Sequence, residues 1–206
     1  MQVKDIITEV RYILDEETGY EDYETVRMDN IIRSRASDAL RWLLLYGNGS
    51  LLNGADGGSG YVVHKDKETV IGGFVTLPSE FVKLIRVRGE GWSRAVMTPI
   101  SEDSEEYLMQ SDPTAKADKT RPMAALIESS PNKLELFPHE TTSCSLTYVT
   151  YPTEASGEVT SVSIPPKART AYLYYLAYLV MVAYGDSGKA QLMLGTAKMN
   201  AGIVNS

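Results

Sequence analysis

The sequence predicts an α+β protein: helices at both ends of the chain form a helical bundle, and a β-rich insertion, a small sandwich or barrel-like body, lies between them. Three observations predict it. Apolar residues recur at helical spacing near both ends of the chain. The middle alternates at period two and is rich in β-branched and aromatic residues. Glycine and proline clusters fall where one pattern changes to the other. The expected division is 1–50 as an N-terminal helical hairpin, 51–163 as a β-rich insertion with one short helix, and 164–206 as C-terminal helices packing on 1–50.

At the N-terminus, Val3, Ile6, Ile7, Val10, Ile13 and Leu14 place one apolar stripe on a short helix. The run Asp15-Glu16-Glu17-Thr18-Gly19 ends it, with Gly19 as the expected cap. A longer helix is expected from Asp29 as N-cap, through Ile31, Ile32, Ala36, Ala39, Leu40, Leu43 and Leu44, to Tyr46. Gly47-Asn48-Gly49 stops it. Residues 53–60, rich in glycine, read as a linker.

Strands are expected at Tyr61–His64, Thr69–Thr76, Val82–Arg88, Ala95–Thr98, Ala124–Glu128, Lys133–Phe137 and Ser143–Tyr151, with Pro131-Asn132 as a hairpin turn. One helix interrupts them, with Ser101 as N-cap and Gln110 near its end. Pro165-Pro166 then opens a helix whose expected buried face is Ala168, Ala171, Tyr172, Tyr175, Leu176, Leu179, Val180 and Ala183. Tyr184-Gly185-Asp186 closes it, and Asp186 or Ser187 caps a last helix carrying Ala190, Met193, Leu194 and Ala197. Residues 202–206 are expected to fray.

Composition limits the function classes. The 206 residues carry 20 basic and 27 acidic side chains, a net charge of -7, which opposes general binding to a phosphate backbone. The charge is uneven, at net -4 over 1–50, -6 over 51–163 and +3 over 164–206. A basic C-terminal segment on an acidic chain suits an acidic neighbour, an identical subunit included. Tyr172–Ala183 is the longest strongly apolar stretch and is too short to span a membrane. The first residues lack the features of a secretory signal, so synthesis and use in a cytoplasm are expected.

The candidate chemistry fails on context. The glycine-rich 53–60 segment follows a helix and precedes a strand, the wrong setting for a phosphate-binding loop. His64 and His139 stand in no zinc spacing, and no Gly-x-Ser-x-Gly elbow nominates a nucleophile. The lone Cys144 reads as a strand cysteine. No catalytic residue, metal ligand or cofactor is expected.

Surface candidates remain. Asp15, Glu16 and Glu17 at a helix C-terminus oppose the macrodipole, at about 0.3–1 kcal/mol, which a partner's cation would offset. Tyr174 and Tyr178 share a helix face beside the apolar stripe and suit an interface that is dry at one end and wet at the other. Lys167, Arg169, Lys189 and Lys198 are the cations of the C-terminal segment. These nine residues form the candidate interface.

The order of features carries a resemblance. It runs from Asp5-Ile6-Ile7-Thr8-Glu9-Val10 to Leu77-Pro78-Ser79-Glu80-Phe81-Val82-Lys83-Leu84-Ile85-Arg86-Val87-Arg88. Trp92, an acidic helix ending in Tyr107, and Arg121-Pro122 leading into a strand pair come next. Ile164-Pro165-Pro166 opens a Tyr/Ala-rich helix closing on Ala183-Tyr184-Gly185-Asp186. This pattern resembles the head-to-tail connector (adaptor, or ring) proteins of short-tailed bacteriophages; the 53–60 loop departs from it. The resemblance implies a virion component, a homo-oligomeric ring of twelve subunits beneath the portal, with portal and other neck or tail proteins as partners. Double-stranded DNA would pass through its channel without sequence-specific binding. A tail-completion or other neck protein is the alternative, and a small hydrolase using carboxylates and His139 is the other.

Overall fold

The apolar stripe at the N-terminus does form a helix, α1 (Val3–Leu14), and buries Val3, Ile6, Ile7, Val10 and Leu14. It stops at Asp15, which takes the left-handed conformation (φ 61°) and donates its N–H back to the last turn of α1. The computed structural model describes residues 1–16, 23–53, 60–129, 131–152 and 161–203, with 23–25 in backbone only. The expected cap, Gly19, and most of the expected linker lie outside these residues. The cap that closes α1 is Asp15.

α2 (Tyr23–Tyr46) begins earlier than expected, so Asp29 is not its N-cap. The Asp29 carboxylate instead accepts from Arg11 Nε at 3.0 Å and pairs with Arg11 Nη2 at 2.9 Å, tying α1 to α2. Arg11 is buried, so this pair holds a charge that would be costly alone. A short helix, α3 (Gly49–Leu52), follows, capped by Asn48, whose Oδ1 accepts from Ser50 N.

The C-terminal helices form, with one correction to the expected buried face. A 3₁₀ turn at Pro166–Ala168 leads into α5 (Arg169–Tyr184), which ends on Gly185 at φ 77°. Asp186 then caps α6 (Ser187–Asn200), accepting from Lys189 N at 2.9 Å. α5 packs against α1, α2 and α6, so its buried set extends beyond one stripe, to Leu173, Ala177 and Met181. Tyr175 and Leu179 are only partly buried and Ala183 is exposed, because a helix with neighbours on several sides has no single core face. Tyr172 is fully buried, and its hydroxyl donates to the Ala36 carbonyl at 3.1 Å.

Between the terminal helices lies a β-rich region of two sheets. In chain order the strands are β1 (Val62–Thr69), β2 (Phe74–Thr76), β3 (Phe81–Gly89), β4 (Ile100–Ser101), β5 (Met123–Ile127), β6 (Lys133–Phe137) and β7 (Ser143–Thr150). β4 is followed by a one-turn helix, α4 (Glu105–Leu108). One sheet is antiparallel with order β1-β7-β3; the other has order β2-β6-β5-β4, its β4–β5 pair parallel. Val75, Ala124, Leu134 and Leu136 from one sheet and Leu84, Val87, Leu146 and Tyr148 from the other share a core around Trp92. That is a small sandwich. Gly89 is glycine for a steric reason: a Cβ there would lie 2.5 Å from the Trp92 ring.

Three strand and helix expectations need correction. The run 69–76 is broken because Gly72 (φ 59°) and Gly73 (φ 88°) make a tight turn, across which Ile71 and Phe74 exchange backbone hydrogen bonds of 3.0 Å. Residues 95–98 contribute only a bridge from Val96 to Val87. Ser101 belongs to β4, and the helix after it shrinks to α4, capped by Ser104, plus a 3₁₀ turn at Met109–Ser111.

By internal contacts the chain forms two units. One is Met1–Tyr61 with Thr153–Ser206, and the other is Val62–Pro152. The helical unit thus joins both chain ends, fastened by a bridge between Gln2 and Ser161 and by the Met1 N-terminus donating to the Val162 carbonyl at 2.6 Å.

Candidate assembly surface

The β-rich unit contains the arrangement closest to enzyme chemistry. Glu135 on β6 is buried, and its carboxylate accepts from the Tyr107 hydroxyl at 2.8 Å and meets His139 Nε2 at 2.9 Å. His139 stacks on Phe137, with ring centroids 4.7 Å apart. The hydrogen bond to Glu135, with burial and the charges of Glu135 and Glu102, pushes the Tyr107 phenol up to about 12. Both Glu135 oxygens are therefore engaged, and Tyr107 and His139 brace the segments around β6 as a strut.

The other candidates are equally structural in their surroundings. His64 Nδ1 bonds Thr147 Oγ1 at 3.1 Å on the neighbouring strand. Burial, with Glu68 adding, raises the Cys144 thiol to about 11, which disfavours the reactive thiolate. A shallow depression of about 290 Å³ is lined by Pro99, Ile100, Ser101, Glu102, Asp103, Leu126 and Glu128. Its carboxylates face no cation or histidine in that lining. Among the described residues, no group of three or more His, Cys, Asp or Glu side chains is placed to hold a metal ion.

The helical unit presents more surface than chemistry. On α5, Tyr175 stacks flat on Trp42 of α2, with centroids 4.0 Å apart and planes 4° apart. Tyr178 lies 5.3 Å from Tyr175, and Tyr46 lies 6.4 Å from Trp42, so four rings run in a continuous row across α2 and α5. Tyr174 and Tyr178 are partly buried. Pattern reasoning picked out Tyr178 but missed Trp42 and Tyr175 as the centre of the row. The i, i+4 spacing of Trp42 and Tyr46 and the i, i+3 spacing of Tyr175 and Tyr178 were the available signal.

The charged candidates divide. Arg169 is engaged within its own chain, its Nε donating to Glu9 Oε2 at 3.1 Å and its Nη2 to Glu9 Oε1. Lys167 and Lys189 are exposed and Lys198 is partly exposed. Asp15 and Glu16 are exposed just beyond the end of α1, and Glu17 lies outside the described residues. Several large apolar side chains are also exposed on these helices, including Tyr12 on α1, Tyr46 on α2, Val182 on α5, and Leu192 and Met199 on α6.

A family model described as SU10 adaptor protein matches residues 1–204. The chain belongs to the SU10 adaptor protein family. A search of curated proteins finds no match. Membership of the SU10 adaptor family makes the chain a structural adaptor of a bacteriophage, a component of the virion that assembles with other head or tail proteins. No helix among the described residues is long and apolar enough to cross a membrane.

Proposed function

We propose that the protein is a ring-forming head-to-tail adaptor, twelve copies of which close beneath the portal, extend the DNA channel and give tail proteins a platform. The family match over residues 1–204 carries this reading. Two physical features support it. A net charge of -7 makes an acidic wall that repels the phosphate backbone, so duplex DNA slides instead of adhering. Ring closure requires a heterologous contact, one face of a subunit against a different face of the next. The net +3 of residues 164–206 and the net -4 of residues 1–50 offer such a pair of faces. Tyr174, Tyr178, Lys167, Lys189, Lys198, Asp15, Glu16 and Glu17 belong to these faces in our reading.

The test is native mass spectrometry and electron microscopy of the chain mixed with portal protein. Closed rings seated on the portal are the expected result. A chain that stays monomeric with both portal and tail partners present overturns the proposal.

A further inference from the structure

The β-rich unit carries opposite charge at the two ends of β5. Near its start stand Arg88, Arg94, Lys119 and Arg121, all exposed. Local bonds gather them. Ser93 N and Ser93 Oγ donate to the Lys119 and Thr120 carbonyls at 2.8 and 3.0 Å. Arg88 Nε and Nη2 donate to the Trp92 carbonyl at 3.3 and 3.2 Å, and the Lys119 stem lies 3.6 Å from where a Gly91 Cβ would stand. The carboxylates nearby are engaged. Glu90 accepts from Ser143 Oγ at 2.9 Å, and Asp118 accepts from Thr120 N, Thr120 Oγ1 and Arg121 N at 2.6 to 2.8 Å. None of the four cations forms an ion pair among the described residues.

The other end is acidic. β4 runs parallel to β5 with Ser101 beside Leu126, so Glu102 and Asp103 leave β4 at the end where Glu128 leaves β5. These three carboxylates line the shallow depression together with apolar Pro99, Ile100 and Leu126. Lys133, opposite Ile127 in register, lies over the Phe74 ring, 5.9 Å from its centroid. The four steps of β5 separate the two ends by about 14 Å.

Exposed charge orients an encounter more than it tightens one. Opposite signs at the two ends of one unit favour a single approach, basic end to acidic end. The depression suits an arginine in particular, whose stem covers apolar surface while its guanidinium takes carboxylates in pairs. Arg88 is held by Trp92 and Arg121 has Asp118 beside it, whereas the Arg94 side chain makes no hydrogen bond or ion pair among the described residues. A phosphate backbone would complement the basic end alone; a second copy of this chain complements both.

We infer that the basic end of the β-rich unit docks on the acidic end of the same unit in a second copy, with Arg94 of one copy entering the depression lined by Glu102, Asp103 and Glu128 of the other. The inference rests on the ring reading above and adds a contact in the β-rich unit to the helical faces named there. The two surfaces differ, so the contact is heterologous and passes from copy to copy, as ring closure requires.

The test pairs charge-reversed full-length chains, assembled with portal protein. One variant carries R94E, K119E and R121E, and the other E102K, D103K and E128K. Each alone presents like charge at both ends and should need about tenfold more protein, or more, for half-maximal ring formation. An equimolar mixture alternates the two and should restore wild-type assembly. All six positions are exposed, and circular dichroism checks that each variant folds. Rings formed equally well by each variant alone overturn this contact and leave the ring reading standing. So does a mixture that fails although both variants are folded. If the first variant assembles normally but loses retention on duplex DNA, the basic end serves phosphates and the inference is overturned. Absence of any wild-type oligomer with portal and tail partners present overturns both readings.

A cross-link gives an independent arm. Arg94→Cys and Glu128→Cys chains, mixed with portal protein and treated with a short bismaleimide, should give a covalent dimer that neither gives alone, the native Cys144 being buried. A dimer from Arg94→Cys alone would mean that basic ends meet. That result, or intact rings without the mixed dimer, overturns the inference.

Discussion

Arg169 separates an intrachain tie from a subunit contact, and a double-mutant cycle with Glu9 measures which it is. The two side chains are 49% and 31% exposed, so the pair is neither buried nor free in water. Two unit charges about 4 Å apart attract by ~1 kcal/mol in water and ~4 kcal/mol at an effective dielectric of 20. This pair lies nearer the first limit, and ordering two long side chains offsets part of the gain. The expected coupling between Arg169→Ala and Glu9→Ala is therefore about 0.5–1 kcal/mol. In a helical unit of this size that shifts the melting midpoint by about 2–6 °C. Ellipticity at 222 nm reads it, since the long helices all belong to this unit. The coupling should fall to less than half near 1 M salt, where the screening length is ~3 Å. Zero coupling, with rings lost in Arg169→Ala but kept in Glu9→Ala, would refute the reasoning. Arg169 would then be serving a neighbouring subunit.

Three further predictions concern the β-rich unit. Gly89→Ala drives a methyl into the Trp92 ring and should cost about 1–3 kcal/mol, with a red shift of the Trp92 emission; an unchanged midpoint would contradict the packing. Tyr107 has its phenol raised in the folded state, so its share of stability is complete below the ordinary value of 10 and is lost as pH rises through about 12. Tyr107→Phe should remove that alkaline loss, and absorbance at 295 nm should show one fewer late-titrating phenol in the variant than in the wild type, in which burial also holds the Tyr172 phenol up. Cys144, raised to about 11 and buried, should resist iodoacetamide at pH 8 until urea unfolds the sheet. Prompt labelling of the native protein would contradict its placement.

The parts of the fold legible in the sequence are those where local pattern and tertiary environment agree. β6 spans the expected Lys133–Phe137, and Gly185 and Asp186 close one helix and cap the next as their chemistry requires. The start of α2 was not legible, because Asp29 has the identity of a cap and its actual use depends on Arg11, eighteen residues earlier. The Gly72-Gly73 turn is legible inside the expected strand 69–76, since a double glycine between β-formers is a hairpin signal in its own right. The Glu135–His139 contact has helical spacing in sequence yet spans a strand end and a turn, so spacing alone misdescribes it. The interface candidates show the same limit. Arg169 and Lys198 look alike as cations on neighbouring helices, and only the position of Glu9 distinguishes them.

How the sheets end bears on where subunits can meet. An open sheet edge offers backbone groups to any other strand, and proteins block it with short strands, charges and bulges. Here β2 has three residues and β4 has two, which leaves little ladder to extend on that sheet. β1 is long, but its exposed middle reads His64-Lys65-Asp66-Lys67, and its register shifts between Lys65 and Glu68. β3 is partly covered by the Val87–Val96 bridge and carries Lys83, Arg86 and Arg88. Edge-to-edge pairing is thus discouraged on both sheets, which leaves side-chain surfaces, the exposed face of α6 among them, as the contacts to test. The two modes should be separable. Lys65→Val with Lys67→Val removes charge from the β1 edge and should raise light scattering at high concentration without changing ring size. Leu192→Glu on α6 should leave the subunit soluble and folded while weakening assembly about tenfold, near 1.4 kcal/mol per contact. Rings that tolerate Leu192→Glu but fail with the β1 changes would mean that strands, not helices, join the subunits.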